Sequence, residues 1–250
     1  LPAEQINLCV IIPVYNHPDK LDYLVERLSK LNLAIIMIDD GSNAECYQTM
    51  KRLGEANSNV RVQTHPVNLG KGAAIKTGID MAQKAGFSHV LQIDADAQHN
   101  LNDIPRFIES MEIHPDALIA GYPLYDETIP RHRYLGRYAT HVWVWINTLS
   151  MSIKDSMCGF RIYPVPQSRQ LINQENPGNR MEYDIEFIVR WYWTGQPLVQ
   201  IPTKVIYPEH GLSHFRLVYD NCLIFRMHAR LFFGMLLRLP KLLKNRRRGL

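Results

Sequence analysis

His89-Val90-Leu91-Gln92-Ile93 runs directly into Asp94-Ala95-Asp96-Ala97-Gln98, and this passage decides the fold. Its first half is a short apolar, β-rich run of the kind that forms a strand buried on both faces. Its second half is acidic and amide-bearing, and such groups are costly to bury without a partner. A buried strand that ends in hard oxygen donors points to an α/β sheet with a ligand site beyond its carboxyl edge.

Outward from that passage, the same unit recurs three times upstream. Residues 8–13, 34–38 and 60–64 are apolar strand-like runs, and residues 89–93 make the fourth. Helical patterns separate them at 19–31, 44–53 and 73–85, with another at 101–111. Asp19 and Asn43 stand where helix N-caps belong. A β-α-β-α series of this kind builds a mainly parallel sheet with helices on both faces. After the first strand comes Pro13-Val14-Tyr15-Asn16, after the second Asp39-Asp40-Gly41-Ser42, and after the third Asn68-Leu69-Gly70-Lys71-Gly72. In a parallel sheet all four polar clusters share one edge, and that coincidence weighs more than any single cluster. The second half is less regular. It reads as an aromatic-rich helix over 134–151, a strand at 159–163, a helix over 180–194, one or two strands around Pro202 within 198–207, and a helical segment over 215–244.

The 250 residues suffice for one substantial α/β domain, and 46% hydrophobic against 21% charged content describes a folded chain. Cys9, Cys46, Cys158 and Cys222 are scattered without C-x-x-C spacing. They suggest neither a zinc site nor a disulfide framework, and so a reducing compartment. No signal-peptide pattern opens the chain, and Leu1 in place of Met suggests a missing tag or leader.

The net charge is only +4, yet residues 221–250 hold no acid while Arg226, Arg230, Arg238, Lys241, Lys244, Arg246, Arg247 and Arg248 are all basic. Such a tail meets something anionic, phospholipid or nucleic acid. Arg226, Arg230 and Arg238 share one helical stripe, with Leu223, Met227, Leu231 and Met235 on a neighbouring face. No run of eighteen apolar residues exists to cross a bilayer, so the tail reads as a basic amphipathic helix at an anionic membrane surface. No nucleic acid partner is expected. The competing reading is a core helix with a solvated tail. Arg246-Arg247-Arg248 looks like a cut, with a fused or partner domain expected after residue 250.

Asp94, Asp96 and Gln98 alternate, so on an extended segment their side chains point the same way. Two carboxylates and an amide oxygen suit Mg2+ or Mn2+, with positions left for water and phosphate oxygens. Such an ion neutralises charge on a departing diphosphate. The plainer reading of D-x-D is a solvated or capping loop, and its place directly after a buried strand favours the ligand. One carboxylate of Asp39 and Asp40 can accept from a base N–H or a ribose hydroxyl, while Gly41 allows the tight turn. A simple capped turn needs only one of those two acids. The 68–72 segment lacks Walker A spacing and its terminal Ser/Thr, and the first strand ends without glycine. Neither a P-loop nor an NAD-binding reading therefore fits.

The ordered set Ile12-Pro13-Val14-Tyr15-Asn16, Asp39-Asp40-Gly41-Ser42, Asn68-Leu69-Gly70-Lys71-Gly72 and Asp94-Ala95-Asp96-Ala97-Gln98 resembles the family 2 glycosyltransferases. Within them it is most similar to the dolichol-phosphate mannose synthase type, which puts a sugar onto a polyprenyl phosphate. The likeness is specific over 8–100. It continues more loosely through Asp155-Ser156-Met157-Cys158-Gly159-Phe160-Arg161 to Arg216. It implies the α/β fold called GT-A, inversion at the anomeric carbon, a UDP- or GDP-sugar donor and a lipid-linked acceptor. It places Pro13, Tyr15 and Asn16 in the nucleotide pocket and Asp39 on the base, with Asp40 and Lys71 nearby. Asp94 and Asp96, with Gln98, fall on the metal and the donor diphosphate. Asp155 falls near the acceptor pocket, and Arg161 corresponds to an arginine that holds the acceptor phosphate.

A phosphate acceptor needs cations, and Arg131, Arg133, Arg137 and Arg161 lie around the inferred acceptor region. Being already anionic, it needs no general base. A sugar hydroxyl does need one, and Asp155, Asp184 or Glu186 are the candidates. Ser213-His214-Phe215-Arg216 follows the last strand as a loop able to close over the donor, with His214 or Arg216 reaching a phosphate oxygen. Here the sequence departs from the Ser-Lys pairing of the polyprenyl-phosphate enzymes. The expected organisation is a catalytic domain over 1–215, with a nucleotide and metal half (1–100) and an acceptor half (101–215). A basic helical segment over 216–250 follows, and the enzyme is expected to be cytoplasmic and peripheral on the inner face of the membrane. Rival readings are transfer to a glycan or glycolipid hydroxyl, a nucleotidyltransferase, and a non-catalytic sugar-nucleotide-binding module.

Overall fold

The computed structural model describes residues 6–124, 131–204 and 217–247. The four upstream strands form where the patterning puts them: β1 (Leu8–Val14), β2 (Ala34–Asp39), β3 (Val60–Thr64) and β4 (His89–Gln92). They pair in parallel. Between and after them lie α1 (Leu21–Ser29), α2 (Ala44–Ala56), α3 (Lys71–Lys84) and α4 (Ile104–Ile113). Asn43 caps α2, its side chain accepting from the Cys46 N–H at 3.0 Å. Asp19 does not cap α1. That helix begins two residues later with Lys20 at the cap position and no side-chain cap bond, and the entry turn closes through the backbone, Leu21 N–H to Pro18 O.

Two elements of the second half are absent from the sequence reading. One is β5 (Leu118–Leu124), whose Gly121 and Pro123 interrupt the strand-like composition. The other is α6 (Val165–Glu175), a short and largely polar helix. Around them lie α5 (Arg131–Thr148), β6 (Arg161–Pro164), α7 (Tyr183–Thr194), β7 (Leu198–Lys204) and α8 (Leu217–Arg247). The seven strands form one sheet in the order β3-β2-β1-β4-β6-β5-β7. β6 runs antiparallel to both neighbours, and the remaining pairs are parallel. The chain winds outward from β1 to β3 and resumes at β4 on the other side of β1. Strand order therefore reverses between β1 and β4, where a parallel sheet opens a ligand crevice.

Alternate residues of β1 build two cores. Cys9 and Ile11 pack with Ile75 and Ile79 of α3 and with Phe187 and Trp191 of α7. Val10 and Ile12 pack with Leu24 of α1, Met50 of α2 and Phe107 of α4. The helix α8 joins the first core through Met227, Leu231, Met235 and Leu242. Two members of its basic stripe reach acids of the body: Arg230, itself exposed, pairs with Glu186 of α7, and Arg238 with Glu175 of α6. Glu186 is fully buried, and a buried carboxylate demands counter-charge. Among the described residues no helix is long and apolar enough to cross a membrane.

Candidate active site

The loops after β1, β2 and β3 meet on one rim and lock one another. Asn16 adopts a left-handed backbone and bridges two loops, its N–H donating to Ser42 Oγ at 3.1 Å and its Oδ1 accepting from the Asn43 N–H at 2.7 Å. Pro13 and Tyr15 sit half-buried beside it. Asp39 is buried, with Oδ1 accepting from the Ser42 N–H at 2.9 Å. Asp40 faces the other way and gathers the 65–70 loop. Its oxygens accept from the N–H groups of Leu69 and Gly70 at 2.9 and 2.8 Å, from the Asn68 amide at 2.9 Å, and from His65 Nδ1 at 2.8 Å. The second acid of the Asp-Asp pair thus shapes a loop. Gly41 is required twice, by its φ of +72° and because a Cβ there would lie 2.5 Å from the Val67 carbonyl carbon.

Gly70 and Gly72 admit protein rather than leaving space for a ligand. A Cβ on Gly70 would meet Asn179 O at 2.4 Å, and one on Gly72 would meet Tyr183 Cβ at 2.6 Å. Arg180 from that same segment donates to Asn68 Oδ1 at 3.0 Å. This approach carries Lys71, first residue of α3, into the acids. Its ammonium lies 2.9 and 3.0 Å from the two oxygens of Asp94 and 2.9 Å from Asp184. Burial opposes the charge on Lys71, but Asp184 and Asp94 outweigh it and hold its pKa above the ordinary lysine value. Burial likewise pushes Asp94 up, yet Lys71 and then His99 hold it well below the usual carboxylate range.

The segment after β4 is a turn, not the extended strand that period-two spacing suggests. The Ala97 N–H donates to Asp94 O, Ala97 itself has φ of +53°, and the Gln98 N–H donates to Asp96 Oδ1 at 3.1 Å. Asp94, Asp96 and Gln98 are all half-buried on this turn. The pKa of Asp96 is raised by burial and then by the charge of Asp94. Hard oxygen donors in that state fit a divalent ion that takes its remaining ligands from water and phosphate. No group of three acidic, histidine or cysteine ligands gathers among the described residues.

The 151–160 loop closes against these acids. A Cβ on Gly159 would lie 2.6 Å from Asp94 Oδ2, so only glycine brings this loop so near. Asp155 fixes the loop, accepting from the Met157 and Cys158 N–H groups at 2.8 and 2.7 Å. Its other oxygen pairs with Arg137 of α5 at 2.7 Å and lies 3.4 Å from His141. Burial raises its pKa, but Arg137 and His141 together hold it well below the usual range. Arg161 is fully buried, and its three donor nitrogens go to backbone carbonyls of Cys158, Asp184 and Ser156, each at 2.8 Å. Arg137 keeps a partly exposed side chain at the same loop.

Three further side chains belong to this cluster and were not singled out from sequence. Gln92 lies within the β4 run, its amide 3.4 Å from Asp94 and its oxygen accepting from the Tyr163 hydroxyl at 2.8 Å. An amide inside an apolar strand was the available signal. His99 stacks on Phe160 and lies 3.6 Å from Asp94, and His141 was hidden in an aromatic helix. His214 and Arg216 lie outside the described residues, as do the side chains of Arg131 and Arg133.

A seven-stranded sheet reversing between β1 and β4, with acids and a lysine gathered beyond β4, defines a glycosyltransferase of the GT-A class. Residues 9–175, more than half of the chain, match glycosyl transferase family 2. The chain belongs to that family. It is 25% identical to the polyprenol monophosphomannose synthase of Mycolicibacterium smegmatis, over 82% of this chain and 79% of that one. It is 27% identical to a dolichyl-phosphate beta-glucosyltransferase of Dictyostelium discoideum, over 75% of this chain and 62% of the other. The fold matches that of glucosyl-3-phosphoglycerate synthase from Mycobacterium tuberculosis, solved with Mn2+, UDP-glucose and phosphoglyceric acid. The TM-score is 0.63 at 15% identity, covering 93% of this chain and 79% of that one.

Proposed function

We propose that this family 2 enzyme is an inverting, Mg2+- or Mn2+-dependent transferase that moves a sugar from a UDP- or GDP-sugar onto a polyprenyl phosphate. The choice of acceptor is carried by the state of the three acids able to act as general base. Asp155 is tied to Arg137, Asp184 to Lys71, and Glu186 to Arg190 and Arg230. Asp155, held well below the usual carboxylate range by Arg137 and His141, is a poor proton acceptor. A hydroxyl acceptor needs a good one, and an anionic phosphate oxygen does not. The two relatives named for polyprenol and dolichyl phosphate support the same acceptor.

In this reading the acceptor oxygen attacks the anomeric carbon opposite the nucleoside diphosphate, whose bond to that carbon breaks as the new bond forms. Pro13, Tyr15, Asn16 and Asp39 frame the nucleoside, and Asp40 keeps the 68–70 loop in place beside it. A divalent ion on Asp94 and Asp96, with Gln98, would supply counter-charge to the leaving diphosphate. Arg137 receives the acceptor phosphate, while Arg161 stiffens the loop beneath it. His214 and Arg216 are assigned to the donor side. Lipid is met by the exposed apolar side chains of α5 and α8, among them Trp143, Ile146, Phe225, Phe233 and Leu237, with exposed Arg226, Lys241 and Lys244 beside them. This surface favours an anionic bilayer and a peripheral location.

The test is transfer of label from UDP- and GDP-hexoses to polyprenyl phosphate. Label should move only with a divalent cation and should not reach the dephosphorylated polyprenol. Transfer to a glycan hydroxyl instead would sink the acceptor assignment. Arg137→Ala should raise the acceptor KM by about tenfold or more while leaving the donor KM nearly unchanged.

A further inference from the structure

We propose that Lys71 is a resident cation that occupies Asp94 until a donor diphosphate draws it away, so that divalent ion and nucleotide enter the site together. The inference rests on the metal-dependent reading above and concerns how that site is loaded.

Both oxygens of Asp94 are engaged by one ammonium, while its side chain stays 25% exposed. Lys71 lies 2.9 and 3.0 Å from its two oxygens, the Gln92 amide 3.4 Å from one, and His99 3.6 Å from the other. Gly159 seals the side facing the 151–160 loop, with space for no additional carbon atom. Lys71 is in turn anchored by Asp184, whose side chain is only 5% exposed. An ion arriving alone must therefore displace an ammonium held between two carboxylates. Moving that ammonium off Asp94 also strains its pairing with Asp184, whose side chain is sheltered from water, where charge separation is costly. What it gains is small, since Asp96 is the only other carboxylate on the turn and already accepts from the Gln98 N–H.

A diphosphate changes both sides of this exchange. Its oxygens complete the coordination of a hard divalent ion, and its negative charge gives the Lys71 ammonium a new partner. Lys71 stands on the first turn of α3, where an anion is favoured by the helix N-terminus. Ion and nucleotide then assist each other by the same factor in either order of addition.

The experiment measures Mn2+ affinity by electron paramagnetic resonance on the full chain, with and without UDP or GDP. It compares wild type, Lys71→Met and the double variant Lys71→Met with Asp184→Asn. The double variant removes one positive and one negative charge, so its site has the wild-type net charge and any tightening reflects the freed Asp94. We expect it to bind Mn2+ alone about tenfold or more tightly than wild type, and to lose most of the nucleotide's effect on Mn2+. A single variant that tightens while the double variant does not would reduce the effect to charge and overturn the proposal. Equal affinity in all three would also overturn it. Wild type that binds no Mn2+ even with nucleotide sinks the metal-dependent reading itself, a result distinguishable from the other two. Crystals of the unaltered chain give a check independent of variant folding. Soaked in Mn2+ alone, they should keep Lys71 on Asp94, and an ion ligated by Asp94 without nucleotide overturns the idea.

Discussion

Gly159→Ala isolates the contact on which the rim depends. The added methyl carbon would lie 2.6 and 2.7 Å from the carboxylate oxygens of Asp94 and 2.8 Å from Nε2 of Gln92. An ordinary carbon–oxygen contact is about 3.4 Å, so Asp94 must give way by roughly 0.8 Å. The tip of a free side chain yields cheaply, but this one is held. Lys71 grips both of its oxygens, and Gln92 is itself fixed by Tyr163. The cost should be about 1–3 kcal/mol, the range for overpacked interiors. For a chain of this size that lowers Tm by about 2–4 °C per kcal/mol. Misplacing the acid by that distance should also lower transfer by about a hundredfold. Thermal unfolding and donor-turnover assays read both effects. Gly136→Ala is the control, because no atom lies within 4 Å of a Cβ built on that exposed residue of α5. It should be neutral or stabilising by about 0.5–1 kcal/mol through helix propensity. A Gly159→Ala enzyme with wild-type Tm and turnover would refute the argument that Asp94 is clamped.

Other substitutions test other parts of the structure. Asp40→Ala strips the acceptor from the Leu69 and Gly70 N–H groups, the Asn68 amide and His65. It should cost about 3 kcal/mol in urea unfolding and weaken nucleotide binding, and no change in either would contradict the assigned role. His228 is held neutral by burial, with its pKa lowered to about 4. Below pH 6.5 the unfolded chain takes the proton first, so the contribution of His228 to stability falls by about 3 kcal/mol as pH drops from 6.5 to 4. His228→Leu should flatten that slope, and equal slopes in both proteins would reject the assignment. Leu237 is 85% exposed on α8, so Leu237→Glu should leave Tm unchanged while reducing flotation with anionic liposomes. Undiminished flotation would move the lipid contact elsewhere.

Local patterning made the first half of the fold legible. Strands β1, β2 and β4 are runs whose hydrophobicity needs no distant context, and Asn43 caps α2 through a bond to a residue three positions on. The loop clusters followed, because parallel strands place all their carboxyl ends on one edge. In the second half the same signals weakened. Gly121 and Pro123 hid β5, and Ala97 took a left-handed conformation that sequence spacing could not register.

The sequence by itself determined the parallel half of the sheet from β1 to β4, the edge on which its polar loops gather, and the family to which those loops belong, because each depends on residues adjacent in the chain. Only the tertiary structure decided which charged groups are committed. Asp40 is bound to the 65–70 loop, Arg161 is bound to backbone carbonyls, and Arg230 and Arg238 are paired with Glu186 and Glu175. Lys71 sits between Asp94 and Asp184, which lie on separate loops and helices. A side chain's charge state and freedom depend on partners within a few ångströms, and folding sets those partners from remote parts of the chain.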